Sequence, residues 1–290
     1  MTKLQEIIKD LTNEAKEQIK EISVDPKDIK EFLDFQANFY TYSINNQLLI
    51  YKQRRSAYAV LGFGEIKKKG LKLQKGSKAI KILAPLMYKE KDEKGQDEMK
   101  IKGFKYVNVF DISQTDMKPE DYPTYFPNKP IEFSHENENL DSLEHGIEWL
   151  SNRLSTPVAI DENDILRGAR GGFFPTENTI LLNIGNTRTQ NIKTTIHELA
   201  HAKLHNIHAK RKNDSQAIKE TQAEMVAYIT CKYFGIDTSS YSIEYVSNWS
   251  KKLTAIDKDE LVPVFEDIQK TAKEFIEYIE KQKNAFEKVA

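Results

Sequence analysis

The segment Thr194-Thr-Ile-His-Glu-Leu-Ala-His201 constrains this chain more than any other stretch. It carries His-Glu-x-x-His where a helix is expected. Four residues of α-helix turn through roughly 400° and rise roughly 6 Å, so His197 and His201 leave one face a turn apart. Two imidazoles at that spacing can close on one tetrahedral metal ion. Glu198 sits beside the first histidine, offset around the helix. It can reach a water on the metal without binding the metal itself, as a general base in metal-assisted hydrolysis must. The flanks agree. Leu182-Asn183-Ile184 reads as a strand end, and Thr187 to Asn191 as a polar joint with capping residues. Ile192, Ile196, Leu199, Ala200 and Leu204 form a helical apolar stripe. Four of the six histidines fall between His197 and His208, which argues against a surface helix with scattered histidines.

A catalytic zinc takes three protein ligands and keeps one position for water. The third ligand is expected in Glu220-Thr-Gln-Ala-Glu224, which opens the apolar run Met225 to Phe234 before Gly235. That run predicts a helix ending at the glycine. Glu220 and Glu224 share one face. One can bind the metal while the other orients a histidine through its free ring nitrogen, and His205 stands a further turn along the first helix. The bland alternative is a solvated pair of carboxylates on an amphipathic helix.

The chain has 290 residues, 39% hydrophobic and 30% charged, which fits one large or two ordinary domains. There is no apolar leader and no run approaching the roughly 20 apolar residues of a membrane helix, so a cytoplasmic, membrane-free protein is expected. Cys231 lies in the apolar run and reads as a small core residue.

The first half is a different kind of unit. Apolar residues at helical spacing cover residues 1–22, and Asp28 to Arg54 reads as one or two helices after Pro26. From Ala57 the period shortens. Ala59-Val-Leu, Ala79-Ile-Lys-Ile-Leu and Lys105-Tyr-Val-Asn-Val-Phe110 predict strands, with Lys89 to Lys100 as a mobile hairpin tip. The proline-rich stretch Met117 to Pro130 is the expected linker. Between Lys52 and Lys105 sixteen basic residues face six acidic ones, a surplus of ten in a chain whose net charge is −1. Such a field attracts polyanions. This segment and its flanks are rich in aromatics, among them Tyr42, Tyr51, Tyr58, Phe63, Phe104 and Tyr106. Rings beside a basic groove are the composition of single-strand binders, although a basic face over an aromatic core has the same composition.

Two resemblances add to this reading. Arg170-Gly-Gly-Phe-Phe-Pro, Thr179-Ile-Leu-Leu-Asn-Ile184, the helix with His197 and His201, and the helix with Glu220 resemble zincin metallopeptidases of the ImmA/IrrE-like group. That resemblance implies Glu220 as ligand and Glu224 behind it, with the Gly-rich strand as an edge for an extended peptide. Tyr42-Ser-Ile-Asn-Asn-Gln-Leu-Leu-Ile50, Gly62-Phe63, Gly70 to Gly76, Ile80 to Pro85 and Phe104 to Gln114 resemble the N-terminal domain of ArdC-type antirestriction proteins. This implies a single-stranded DNA-binding module followed by a zincin domain. The family commonly carries a Trp shortly after Gly-Phe, where this chain has Ile66. If that Trp stacks on a base, Phe63 or a tyrosine must substitute.

The sequence therefore predicts an α+β protein of two domains. Residues 1–128 are expected to bind single-stranded DNA through Tyr42, Asn45, Asn46, Gln47, Arg54, Arg55, Phe63, Lys67, Lys68, Lys69, Lys72, Lys75 and Lys78. Residues 129–290 are expected to form a zincin-like metallopeptidase with a small sheet, active-site helices and further C-terminal helices. Its Zn²⁺ is expected on His197, His201 and Glu220, with Glu198 as base, Glu224 and His205 behind the ligands, and Tyr228 as an oxyanion donor. The expected role is antirestriction on incoming mobile-element DNA. Its rivals are an ImmA-type protease that cleaves a repressor and a non-catalytic coat for single-stranded DNA.

Overall fold

A computed structural model of the protein describes residues 3–91, 96–126, 129, 140–236, 243–254, 256 and 258–288. The chain divides into two compact units, Met1–Glu21 with Tyr42–Asn128, and Ile22–Thr41 with Lys129–Ala290. The helix of residues 26–38 is thus grouped with the later half of the chain. Pro127 and Pro130 of the expected linker lie outside the described residues.

In the first unit α1 (Lys3–Val24) buries Leu11, Ala15, Ile19 and Ile22, a stripe at spacings of three and four. The region Asp28 to Arg54 resolves into two helices, α2 (Pro26–Asn38) and α3 (Ile44–Gln53), separated by the turn before Ser43. A three-stranded antiparallel sheet follows, in the order β1 (Val60–Gly62), β3 (Asp97–Asp111), β2 (Ile80–Lys91). Between β1 and β2 runs the short helix α4 (Phe63–Lys68). Gly70 ends α4 at φ 72°, with its own N–H on Lys67 O and the Leu71 N–H reaching back to Ile66 O. A side chain there would be strained, which is why a glycine closes this helix.

The sheet is buried only near its base, through Ile80, Ile82 and Val109. Its hairpin is longer than the sequence periodicity implied. Most of the expected mobile tip is paired strand, and only residues 92–95 lie outside the described residues. Cross-strand pairs hold it: Lys89 Nζ lies 3.4 Å from Asp97, and Lys100 Nζ 2.8 Å from Glu90. Charged residues hid the strands because both faces are in water there, so no apolar alternation is required.

The outer edge of β2 is covered by side chains. Asn46 accepts from Leu83 N and donates to Leu83 O, both at 2.8 Å. Gln53 does the same to Lys81 N and O, both at 2.9 Å. Two amides seven residues apart on α3 thus stand in for a neighbouring strand along alternate residues of β2. At the other end of the sheet Ala59, Ile112 and Met117 form a small core, against which Tyr58, Tyr122 and Phe126 pack. The start of the expected linker is therefore structured. It includes the short helix α5 (Tyr122–Tyr125).

In the second unit α6 (Leu140–Arg153) precedes a sheet of order β4 (Val158–Asp161), β6 (Thr179–Asn183), β5 (Gly171–Phe174). β4 runs parallel to β6 and β5 antiparallel to it, so β5 is an edge. Then come α7 (Arg188–His205), α8 (Gln216–Tyr233), α9 (Ile243–Thr254) and α10 (Lys258–Glu287). The core is made where α2, α7 and α10 meet α8. Phe32, Tyr228, Phe265 and Phe275 are fully buried there, each worth about 1.5–3 kcal/mol of transfer free energy. Among the described residues, no helix is long and apolar enough to cross a membrane.

Candidate functional site

Each functional side chain is placed by an ordinary local device. α7 opens with a capping box, in which the Thr187 side chain takes the Gln190 N–H and the Gln190 side chain takes the Thr187 N–H. This fixes the first turn, and His197 and His201 follow on one face three turns later. Ser215 caps α8 by accepting from Ile218 N, which sets Glu220 in the second turn. α8 buries Gln222, Ala223 and Met225 and packs along α7. Glu220 is thereby aimed at the histidines.

His197, His201 and Glu220 converge, with one ligand atom of each within 4.8 Å of the others. The two Nε2 atoms are 3.1 Å apart. Glu220 Oε2 is 3.6 Å from His197 Nε2, and Oε1 is 3.5 Å from His201 Nε2. Tetrahedral bonds of about 2.0–2.2 Å put neighbouring donors roughly 3.3–3.5 Å apart. The triangle therefore has the size of one face of a metal's coordination tetrahedron, and the donor set fits a divalent cation. The charges fit as well. Hydrogen bonds from His197 and His201 hold the Glu220 carboxyl well below its ordinary range. Burial opposes a charge on His197, but the carboxylates of Glu220, Glu224 and Glu198 outweigh it and raise that pKa. Glu224 Oε2 stands 3.8 Å from His197 Nδ1, behind the ligand ring.

A buried relay stands behind His201. Gln222 Oε1 lies 3.0 Å from His205 Nε2, and His205 Nδ1 lies 3.0 Å from His201 Nδ1. With the amide oxygen facing the ring, His205 carries its proton on Nε2 and donates to Gln222. Its Nδ1 then accepts the His201 Nδ1–H. A metal that displaces the proton His201 shares with Glu220 then finds the Nε2 lone pair aimed at it, as a ligand requires. Burial pushes the His205 pKa down to about 4, so its ring is neutral at pH 7, as a relay with one proton per ring demands.

Glu198 is buried beside this triangle, and burial raises its carboxyl above the usual range. The backbone of Phe173 on β5 donates to it. That donor is free because of strand register. Asn183 N bonds Arg170 O at 2.9 Å, so Gly172 and Phe174 also face β6, while Gly171 and Phe173 turn their backbone groups to the open edge. Gly171 permits the close approach of β5 to α7. A Cβ there would sit 2.4 Å from Thr194 Cγ2. Tyr228 is fully buried and its hydroxyl donates to Asp34 at 2.9 Å, so its proton is already committed.

The residues expected to meet DNA fall into two sets. Phe63, Lys67, Lys68, Lys69, Lys72, Lys75, Lys78 and Arg55 are exposed, with Lys67 Nζ over the Phe63 ring at 4.9 Å and Arg55 over Tyr51 at 4.9 Å. The others have internal duties. Asn46 covers β2, Gln47 is buried with its amide on Tyr42 O, and Tyr42 OH reaches Val60 O. Arg54 holds the buried Asp111 and the Ser113 hydroxyl. Asn45 Oδ1 is buried with no partner among the described residues. Ile66, where the resemblance implies a Trp, is 1% exposed and faces the core in this chain. Three residues the sequence reading passed over now stand out. Gln222 was hidden between the two glutamates, and its signal was a polar residue on the apolar face of α8. Phe104 and Tyr106 were counted as aromatics, but their strand alternation already placed them on one face.

Residues 2–110 match the family model described as the N-terminal domain of anti-restriction factor ArdC. That stretch is thus similar to the ArdC N-terminal domain. Over 84% of this chain, the fold is similar to a metal-free crystal structure of the antirestriction ArdC protein from the R388 plasmid, with TM-score 0.50 and 17% identity over 85% of that chain. A Mn(II)-bound crystal structure of the R388 protein aligns at TM-score 0.47 and 16% identity, covering 83% of this chain and 84% of that one. An uncharacterized protein of Bacillus anthracis, pXO2-81, is 32% identical over 89% of this chain. The chain spans about half, 48%, of that relative's length.

Proposed function

We propose that this ArdC-type protein binds single-stranded DNA through its first unit and carries a zinc-dependent, zincin-type peptidase centre in its second, acting in antirestriction in the cytoplasm. The observation that carries the reading is the convergence of His197, His201 and Glu220 with a buried Glu198 beside them. The ArdC N-terminal domain at residues 2–110 supports the DNA half. So does the surplus of ten positive charges between Lys52 and Lys105. Two imidazoles and a carboxylate suit zinc.

Zinc bound there supplies Lewis acidity to a carbonyl and acidifies water. The chain's own groups do the rest. Glu198, lifted by burial toward neutral pH, accepts a proton from water and returns it to a leaving amine. The open β5 edge aligns an extended peptide by backbone pairing next to that carboxylate. Glu224 and His205 hold the ligand rings from behind.

The test is metal content with peptide hydrolysis, each measured with and without single-stranded DNA. About one zinc per chain is expected, lost in His197→Ala with His201→Ala. Glu198→Gln should keep the metal and lose hydrolysis. Stoichiometric metal in the double histidine variant refutes the site, and hydrolysis surviving in Glu198→Gln refutes the base. The DNA half predicts affinity that falls steeply with salt, with a shallower slope when Lys67, Lys68 and Lys69 become Ala.

A further inference from the structure

The β2–β3 hairpin carries a row of large apolar side chains that nothing in the first unit covers. Met99 is 52% exposed, Ile101 56%, Phe104 47%, Tyr106 37% and, across the ladder, Met87 46%. Simple alternation would split this row, because 99 and 101 are odd positions and 104 and 106 even. A bulge reunites it. Leu86 pairs with Gly103 and Met87 with Ile101, so Lys102 is the extra residue on β3. The strand changes face there, and Met99 and Ile101 come to the same side as Phe104 and Tyr106. Phe63, 50% exposed, begins one residue beyond the β1–β3 ladder, after the pair Gly62 and Val109.

We propose that this face is a base-stacking platform for single-stranded DNA, with Phe104 and Tyr106 each taking one base. The proposal rests on the DNA-binding reading above and names the part of the unit that does the binding. Three arguments select this occupant. The first is charge. Near the tip Lys89 and Lys100 are paired with Asp97 and Glu90. At the rings, Lys81 on the same face and Lys102 at the bulge have no acid within ion-pair distance among the described residues, so their charge is available to phosphate.

The second argument is ring type. At the base of the hairpin, where the unpaired lysines are, the exposed large apolar side chains of β3 are both aromatic, Phe104 and Tyr106, and rings stack on any base. The third is spacing. Alternate residues of an antiparallel strand are roughly 6.8 Å apart. That is about twice the 3.4 Å rise of stacked bases. Successive bases can meet successive rings only when the strand is unpaired and drawn out, which excludes duplex.

The experiment uses the full chain, a fluorescein-labelled oligo(dT) and its duplex, with affinity measured across a salt series. The variants are Phe104→Ala with Tyr106→Ala, Phe104→Trp with Tyr106→Trp, and the Lys67, Lys68, Lys69→Ala triple. Each stack is worth roughly fivefold to 150-fold, so the alanine pair should lose at least about thirtyfold. Its salt slope should stay that of the parent, because every lysine remains. The tryptophan pair should restore or exceed parent affinity. Parent-like affinity in the alanine pair, beside a weakened lysine triple, overturns the platform and leaves DNA binding standing. No binding by the parent overturns both. A self-associated parent that the alanine pair dissociates, with DNA affinity intact, assigns the face to a second copy of the chain and also overturns the proposal.

Discussion

Replacing Gln222 with leucine isolates the relay behind the metal triangle. Gln222 is 0% exposed, and leucine has a similar shape, so packing around the site is retained. What is lost is the acceptor for the His205 Nε2–H at 3.0 Å. Two responses are open to the 6%-exposed His205 ring. It can keep its tautomer and bury an orphaned N–H, at about 1–3 kcal/mol. Part of that is offset because Gln222 Nε2 is itself buried without a partner among the described residues. Otherwise its proton moves to Nδ1, and the proton on His201 moves to Nε2, the ligand atom. Zinc must then drive both protons back. A drop of about 10–100-fold in zinc affinity is expected, the range for groups that orient a ligand ring. Competition against a chromophoric chelator measures the affinity, and ¹⁵N-histidine shifts of the metal-free protein report the His201 tautomer directly. Unchanged tautomer and zinc affinity within about twofold of the parent would refute the relay, since orienting groups of this kind matter more than that.

Gly171→Val should disturb β5 and α7 together, since its Cβ would lie 2.4 Å from Thr194 Cγ2 and 3.1 Å from Leu181 O. A loss of about 1–3 kcal/mol in chemical denaturation is expected, with weaker metal retention, and parent-like stability would contradict the close approach. Ile66→Trp should destabilise the first unit by about 1–3 kcal/mol without raising affinity for single-stranded DNA, because the position is a core one; tighter binding would show that the ring finds the surface. In the metal-free protein the raised His197 pKa contributes stability fully present below the unfolded value of 6.5 and lost as pH rises through the folded one. Stability that instead rises across that window, or a window unaltered by Glu220→Gln, would contradict the coupling.

The candidate metal site was legible in the sequence because its parts are local. His197, Glu198 and His201 sit on one helix whose capping residues and apolar stripe are readable, and Glu220 lies on the next helix at the start of an apolar run. The relay was less visible. His205 and Gln222 are seventeen residues apart on different helices, and only the packing of α7 on α8 joins them. The first half was harder to read for a physical reason. Tyr42-Ser-Ile-Asn-Asn-Gln is polar enough to read as a binding surface, yet Asn46 and Gln47 spend their hydrogen bonds on backbone within the unit. The length of the hairpin escaped periodicity because its distal strands face water on both sides. The bulge at Lys102 then broke the very alternation by which strands are recognised.

The amides that cover β2 carry a chemical liability. Asn46 and Gln53 work because each offers a donor and an acceptor to the same residue of the strand. Deamidation turns either side chain into a carboxylate, which accepts but cannot donate. The carbonyl of Leu83 or Lys81 would then face an anion at hydrogen-bond distance, and the helix would be driven off the strand. An ageing sample would lose its seal one amide at a time, and each loss would bare backbone that a second chain can pair with. Asn46→Asp, which keeps the acceptor and removes the donor, should therefore expose the β2 edge to strand-mediated association.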